Sequence, residues 1–338
     1  MKAKSFIATA LSFCLLLGCT ACSVQPQQEP SSPPASSSSE DNSETVQEQT
    51  PTYVIGFNNY NMATDFPQQL YDGIEAAAEN AEADIEIMYA EAAGDPQKMV
   101  SNIDTFITAG VDLIIDFNFN PEVGTTLSQK CSEAGIPLIS VDCFYENAYF
   151  FGVNNLLAGK TAGEYLAQLV KDQWDSSMDY LVLEFNNSAG AEVRQRLEGI
   201  VEGLAENGIE LTDEQIVWID YNNDTTKAQS TAADFLTAHP DSSKIAFGVL
   251  TDPAAAGVLA AVETAKRSED CMIVSHGGEA VAIEMLEKDN CYQGTVCYDP
   301  AQYGELLIPL AVKLMNGEEI ETMNYSQQYM LTRDNLDS

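Results

Sequence analysis

Leu113-Ile114-Ile115-Asp116-Phe117, then a stretch of helical period from Glu122, then Pro137-Leu138-Ile139-Ser140-Val141: this segment decides the fold. Both apolar runs are too short for helices and rich in β-branched residues, so they read as strands buried on both faces with a helix between them. The rhythm continues outward in both directions. Upstream, apolar runs at 53–57 and 85–89 precede amphipathic stretches from Phe66 and Pro96, and another helical stretch starts at Leu156. A second series places strands at 180–184, 216–219, 245–249, 272–275 and 294–297, interleaved with helices from Ala189, Asp224, Asp252 and Glu279. Strands alternating with helices in this way build parallel sheets covered on both sides. The fold class is therefore α/β, with two doubly wound parallel-sheet lobes.

The chain begins differently. Lys2 and Lys4 precede an apolar run from Phe6 to Leu17 that ends at Leu16-Leu17-Gly18-Cys19. This has the layout of a secretory signal and is too short for a membrane span. Its end resembles the lipobox of bacterial lipoproteins, which implies cleavage before Cys19 and acylation of that cysteine, with Cys22 as the second candidate. Residues 1–18 are then the signal peptide, and 19–52 a tether whose Ser, Pro, Gln and Glu content gives it little to bury and predicts disorder. The expected location is extracytoplasmic, anchored to the cell membrane by lipid.

With 52 acidic against 15 basic residues, the chain has a formal net charge of -37, which excludes a nucleic-acid partner because nothing would neutralise phosphates. Of eight cysteines, Cys14 falls in the signal and Cys19 at the anchor, and the others show no C-x-x-C spacing that would suggest a zinc site. Cys271 and Cys291 each open a predicted strand and are read either as a disulfide or as buried thiols.

Ligands of doubly wound sheets bind outside the carboxyl ends of the strands. In the first series those positions hold Asn58, Asn59, Tyr60, Thr64, Asp65 and Phe66, then Asp116 and Phe117, then Asp142 and Cys143. In the second they hold Arg194 after Asn186 and Asn187, then Thr251, His276 and Tyr298. Catalytic signatures are missing: there is no phosphate loop, no dinucleotide fingerprint and no H-E-x-x-H. Asp220-Tyr221-Asn222-Asn223-Asp224 starts like a calcium loop, but Thr225 stands where glycine is required. No enzyme activity, cofactor or metal is expected.

Gly94-Asp95-Pro96-Gln97-Lys98, Ala109-Gly110-Val111-Asp112, Ala134-Gly135-Ile136-Pro137, Arg194-Gln195-Arg196-Leu197-Glu198-Gly199 and Lys313-Leu314-Met315-Asn316-Gly317 occur in an order and spacing that resemble the type I periplasmic sugar-binding proteins of the ribose and galactose kind. The resemblance covers nearly all of the chain after the tether. It implies two lobes joined by three crossovers, 53–153 with 299–326 and 154–298 with 327–338, and a monomer that closes on one sugar or sugar-like molecule. It further implies delivery to the transmembrane subunits of an ABC permease, or, in the alternative, sensing by docking on an extracellular receptor or histidine-kinase domain. By position, Asp142 matches an aspartate for sugar hydroxyls, Arg194 an arginine and Phe66 an aromatic that stacks on the sugar ring. The sequence departs from the pattern elsewhere. Cys143 replaces an arginine; Thr64, Asp116 and Thr251 replace asparagines; Gly277 replaces an aspartate and Tyr298 a glutamine. These changes, together with Phe117, Phe119, Phe144 and Tyr145, predict a less hydroxylated or bulkier ligand than a free pentose.

Overall fold

The computed structural model describes residues 52–63 and 65–336. The expected signal, the lipidation site Cys19, the tether up to Pro51 and the candidate Thr64 lie outside the described residues, while Thr52, the tether's last expected residue, opens the first strand. The chain first lays down β1 (Thr52–Asn59), α1 (Asp65–Glu79), β2 (Asp84–Glu91), α2 (Pro96–Ala109), β3 (Leu113–Phe117), α3 (Pro121–Ala134), β4 (Leu138–Val141) and β5 (Tyr149–Gly152). It then builds α4 (Asn155–Trp174), β6 (Tyr180–Phe185), α5 (Gly190–Glu206), β7 (Ile216–Asp220), α6 (Thr225–Ala238), β8 (Ile245–Val249), α7 (Asp252–Ala265), β9 (Cys271–Gly277), α8 (Ala280–Leu286) and β10 (Tyr292–Cys297). The last elements are α9 (Tyr303–Met315), β11 (Met323–Tyr325) and β12 (Tyr329–Leu331).

Two six-stranded sheets result, ordered β11-β5-β4-β3-β1-β2 and β12-β10-β9-β8-β6-β7. Every pairing in the first is parallel, while β12 joins the second antiparallel to β10. The chain passes between the sheets after β5, after β10 and between β11 and β12, which gives the three-crossover hinge implied by the sequence resemblance.

Local chemistry sets the boundaries of the helices. Asp95 accepts hydrogen bonds from the amides of Gln97 and Lys98 ahead of Pro96, and Gly110 ends α2 with φ of 73°. Asn120, Pro121 and Gly135 repeat the device around α3. In both cases a side-chain acceptor satisfies amides that the first turn leaves free, and a glycine takes the left-handed residue after the last turn. The first sheet shows the period of two: Ile55, Phe57, Leu113, Ile115, Phe117, Ile139 and Val141 pack against α1 and α9, while Ile114 and Leu138 face α2 and α3. A single core of Leu181, Leu183, Phe247, Val249, Ile273 and the helices around them fills the second lobe.

Candidate functional site

A cavity of about 550 Å³ opens between the two lobes. From one side it is walled by Asp65 and Phe66 at the start of α1, and from the other by Tyr221, Thr251 and Glu279, which follow β7, β8 and β9. All of these residues stand at carboxyl ends of parallel strands, where the sheet supplies no further side chains and the loops are free to carry function. Phe66 stacks on the buried Phe117 at 5.6 Å between ring centroids and meets Tyr303 edge-on at 5.8 Å. Tyr221 is buried, and its hydroxyl lies 3.3 Å from Thr251 Oγ1. The cavity therefore has an aromatic ring on each side, both held by their own neighbours.

Asp142 and Arg196 face each other between the lobes. Asp142 follows β4 with φ of 57°, and its Oδ1 accepts a 3.0 Å hydrogen bond from the Val153 amide and a longer one, 3.5 Å, from the Tyr303 hydroxyl. Only glycine is tolerated at position 152, since a Cβ there would sit 2.3 Å from that oxygen. Burial raises the Asp142 carboxyl to about 6, against the opposing pull of the Val153 amide and the Arg196 charge. Arg196 projects from α5; its Nε donates to Asn155 Oδ1 at 2.7 Å, and its guanidinium lies over the Tyr298 ring at 4.7 Å. Tyr298 is 4% exposed, yet its hydroxyl has no partner. A smaller cavity of about 70 Å³ lies where the crossovers meet, bordered by Tyr298, Asp299, Tyr303 and Ser326.

The remaining sequence candidates separate by depth. Asn58, Asp116 and Phe117 are fully buried. Asp116 accepts from Asn58 Nδ2 at 2.7 Å, from Asn118 Nδ2 at 2.5 Å and from the Tyr145 hydroxyl, so its carboxylate is saturated inside the first lobe and lies behind the cavity wall. Burial still raises it to about 6. Cys143 is buried beside Asp116 and Asp142, and burial raises its thiol to about 12. His276 is 1% exposed with Nδ1 3.2 Å from the Val249 carbonyl; burial and the Arg196 charge depress it to about 3, so the ring is neutral.

Arg194, two residues before Arg196, turns away from Asp142. Its guanidinium stacks over Trp218 at 3.9 Å and Phe185 at 4.9 Å, and Nε pairs with Glu198 at 3.1 Å. The structure thus brings Phe66 and Thr251 to the cavity, sets Asp142 and Tyr298 around Arg196, and leaves Arg194 on the flank of α5. Sequence reading missed Arg196, Tyr221 and Glu279, whereas Asp65 stood among the residues it placed after the first strand. Glu279 is exposed to the cleft as a residue, but the protein packed around its carboxylate, with Asp252 and Asp65 nearby, raises it to about 7.

Cys271 and Cys291 are both free and buried, which settles the alternative between disulfide and thiol in favour of thiols. The stretch resembling a calcium loop folds as a turn and a helix cap: Asp220 accepts from the Asn222 amide at 2.8 Å, and Asp224 from the Thr226 amide at 2.8 Å.

Two α/β lobes that share three crossovers and enclose an aromatic-walled cleft define a class of protein that binds a small molecule by closing on it. The chain belongs to the periplasmic binding protein domain family, which it matches over residues 55–319. This is a family of binding proteins and not of enzymes. A ribose import binding protein of Bacillus subtilis (strain 168) is 24% identical over 324 residues, covering 95% of each chain. Among solved structures, a periplasmic solute-binding protein of an ABC transporter from Actinobacillus succinogenes 130z, with bound D-allose, superimposes with a TM-score of 0.67 at 20% identity, over 84% of this chain and 99% of that one. One from Bacillus halodurans C-125 with bound myo-inositol gives 0.68 at 19% identity, over 86% and 98%. These two share the fold.

Proposed function

We propose that this protein is the extracytoplasmic substrate-binding lipoprotein of an ABC importer, and that it captures a sugar or sugar-like molecule between its lobes and hands it to the permease. The observation that carries the reading is the 550 Å³ cavity at the strand ends, with Phe66 on one lobe and Tyr221 on the other. Two aromatic faces suit the C–H surfaces of a saturated ring, and polar groups suit its hydroxyls: Thr251 in the cavity wall, with Asp142 and Arg196 between the lobes outside that lining brought in as the lobes close. The likeness to a ribose import binding protein along nearly the whole chain supports the same reading. The lobes divide in this proposal at 153/154, 298/299 and 326/327, acylated Cys19 holds the protein at the membrane, and the chain acts as a monomer.

The test is a thermal-shift and calorimetric screen against pentoses, hexoses and cyclitols. A true ligand stabilises the native state by about 2.7 kcal/mol at a hundredfold excess over its dissociation constant. Asp142→Ala is expected to weaken that binding at least about tenfold, the size of a lost charge-assisted hydrogen bond. Unchanged affinity in this variant would remove Asp142 from the site. For the anchor, Cys19→Ala should release the protein from the membrane fraction, and retention of the unacylated form would exclude lipidation there.

A further inference from the structure

The cleft's charge narrows the ligand further than its shape does. The cavity is lined by one carboxylate from each lobe, Asp65 at the start of α1 and Glu279 after β9, and among the described residues no basic side chain lines it. The two are near enough that Asp65 acts electrostatically on Glu279, and the buried Asp252 adds a third negative charge from α7 behind it. Asp252 is already satisfied by Ser275, Thr295 and the Glu279 amide, so it cannot turn toward the cleft to accept a ligand. Arg196, held by Asn155 and Tyr298, is not among the residues that line the cavity. Closing the lobes brings like charges together in a space that is losing water, which opposes closure unless a positive group lies between them.

We propose that the ligand carries a protonated amine on its ring, held between Asp65 and Glu279 as the lobes close, so that the cargo is an amino sugar or aminocyclitol in preference to a neutral sugar. This rests on the cleft being the ligand site. Phe66 and Tyr221 cover the ring, the two carboxylates receive the ammonium, and the repulsion that holds the empty lobes apart becomes attraction once the cation is seated. Selectivity follows because a neutral hydroxyl in the same place leaves two facing carboxylates uncompensated.

The experiment measures calorimetric affinity at about pH 7.5 for matched pairs: D-glucosamine with D-glucose, D-galactosamine with D-galactose, and an amino-deoxyinositol with its parent inositol. At least one amine should bind the wild-type protein at least about tenfold more tightly than its neutral counterpart, as expected for a charge-assisted contact. That ratio should fall toward one in Asp65→Asn and in Glu279→Gln. The ligand-free melting point of both variants should be unchanged or higher, since each removes like-charge repulsion, and this separates lost binding from lost fold. Amine affinity should also fall on acidification through about pH 7 as Glu279 takes up a proton, with Asp65 and Asp252 the charged groups facing it. Binding of neutral members alone, silence of every amine, or a ratio that survives both substitutions overturns the proposal. Neutral sugars that bind and depend on Asp142 would leave the sugar-binding reading standing while this one falls.

Discussion

Two residues along an α-helix rotate a side chain by about 200°, enough to move it from one face to the other. Arg194 and Arg196 stand in that relation on α5. Replacing Arg196 by alanine removes the charge that faces Asp142 and unpartners Asn155, so calorimetry should show ligand affinity weakened at least about tenfold with a modest loss of stability. Arg194→Ala instead loses the stacking on Trp218 and an exposed ion pair, and should cost about 1 kcal/mol of stability while affinity stays within about twofold. The reverse pattern would put the wrong arginine in the site. The sequence motif carried both arginines, and the i,i+4 spacing of Arg194 to Glu198 already offered a local partner; the phase of α5 relative to α4, which decides between them, is a tertiary fact. Asp116 shows the same limit. Its place at a strand end was legible, and Asn118 lies two residues on, but its Asn58 and Tyr145 donors come from two other segments, and only their convergence shows a carboxylate already satisfied. Cys131, Cys143, Cys271 and Cys291 make a further residue-scale case. Burial raises all four thiols to about 12, so an aromatic disulfide reagent should label them only as the protein unfolds; rapid labelling of the native protein would contradict their burial.

Arg196 is held in place at the scale of the element. Helices α4 and α5 touch through Gly159 and Gly163 on one and Gly199 and Gly203 on the other, spaced four apart so that each pair lies on one face. A Cβ on Gly159 would come within 2.1 Å of the Arg196 carbonyl oxygen and 2.7 Å of the Gly199 Cα, both backbone atoms that cannot step aside like a side chain. Gly159→Ala must therefore push the helices apart, at a cost of about 1–3 kcal/mol or more, and lower the melting point by roughly 5 °C. Because Asn155 and Arg196 are the partners that bridge this contact, the same change should weaken ligand binding, and an unaltered melting point would show that the close approach is not rigid. Elements of this length and periodicity were readable in advance: the strands and helices from β1 to β4 and from β6 to β10 follow the alternation of apolar runs and amphipathic stretches. β5, β11 and β12 were not: β11 and β12 contain three residues each, and β5, as short as β4, follows it with no helix between them to mark the alternation. Runs so short have too few alternations to reveal a period, and they are strands because a neighbouring edge offers them hydrogen bonds.

Across the whole molecule, acidity and burial combine to fix how stability depends on pH. Glu184, Asp116 and Asp252 are fully buried carboxylates, and burial raises all three, Glu184 to about 8 and Asp116 to about 6; Asp142 is raised likewise to about 6. A carboxyl raised on folding binds its proton more tightly in the native state than in the unfolded chain. Unfolding stability therefore falls as pH rises from the unfolded value near 4 through the folded one. His276 works in the opposite sense: depressed to about 3, it favours the native state less and less as pH drops below its ordinary value of about 6.5. Several raised carboxylates outweigh one depressed histidine, and the net charge of -37 acts with them, since protonation relieves self-repulsion. The melting point should consequently rise as pH is lowered from about 8 to about 5. Glu184 is the sharpest single test, because its main polar partner is the Thr231 hydroxyl and, among the described residues, no ion pair is formed with it, the Lys227 charge acting only from a distance. Glu184→Gln preserves the shape and one acceptor while removing the charge. It should flatten the slope between about pH 6 and pH 8 and stabilise the protein at the alkaline end, where the native carboxylate is otherwise ionised in a buried site. A melting point that falls on mild acidification, or a slope indifferent to this substitution, would mean that solvent reaches Glu184 in the native state.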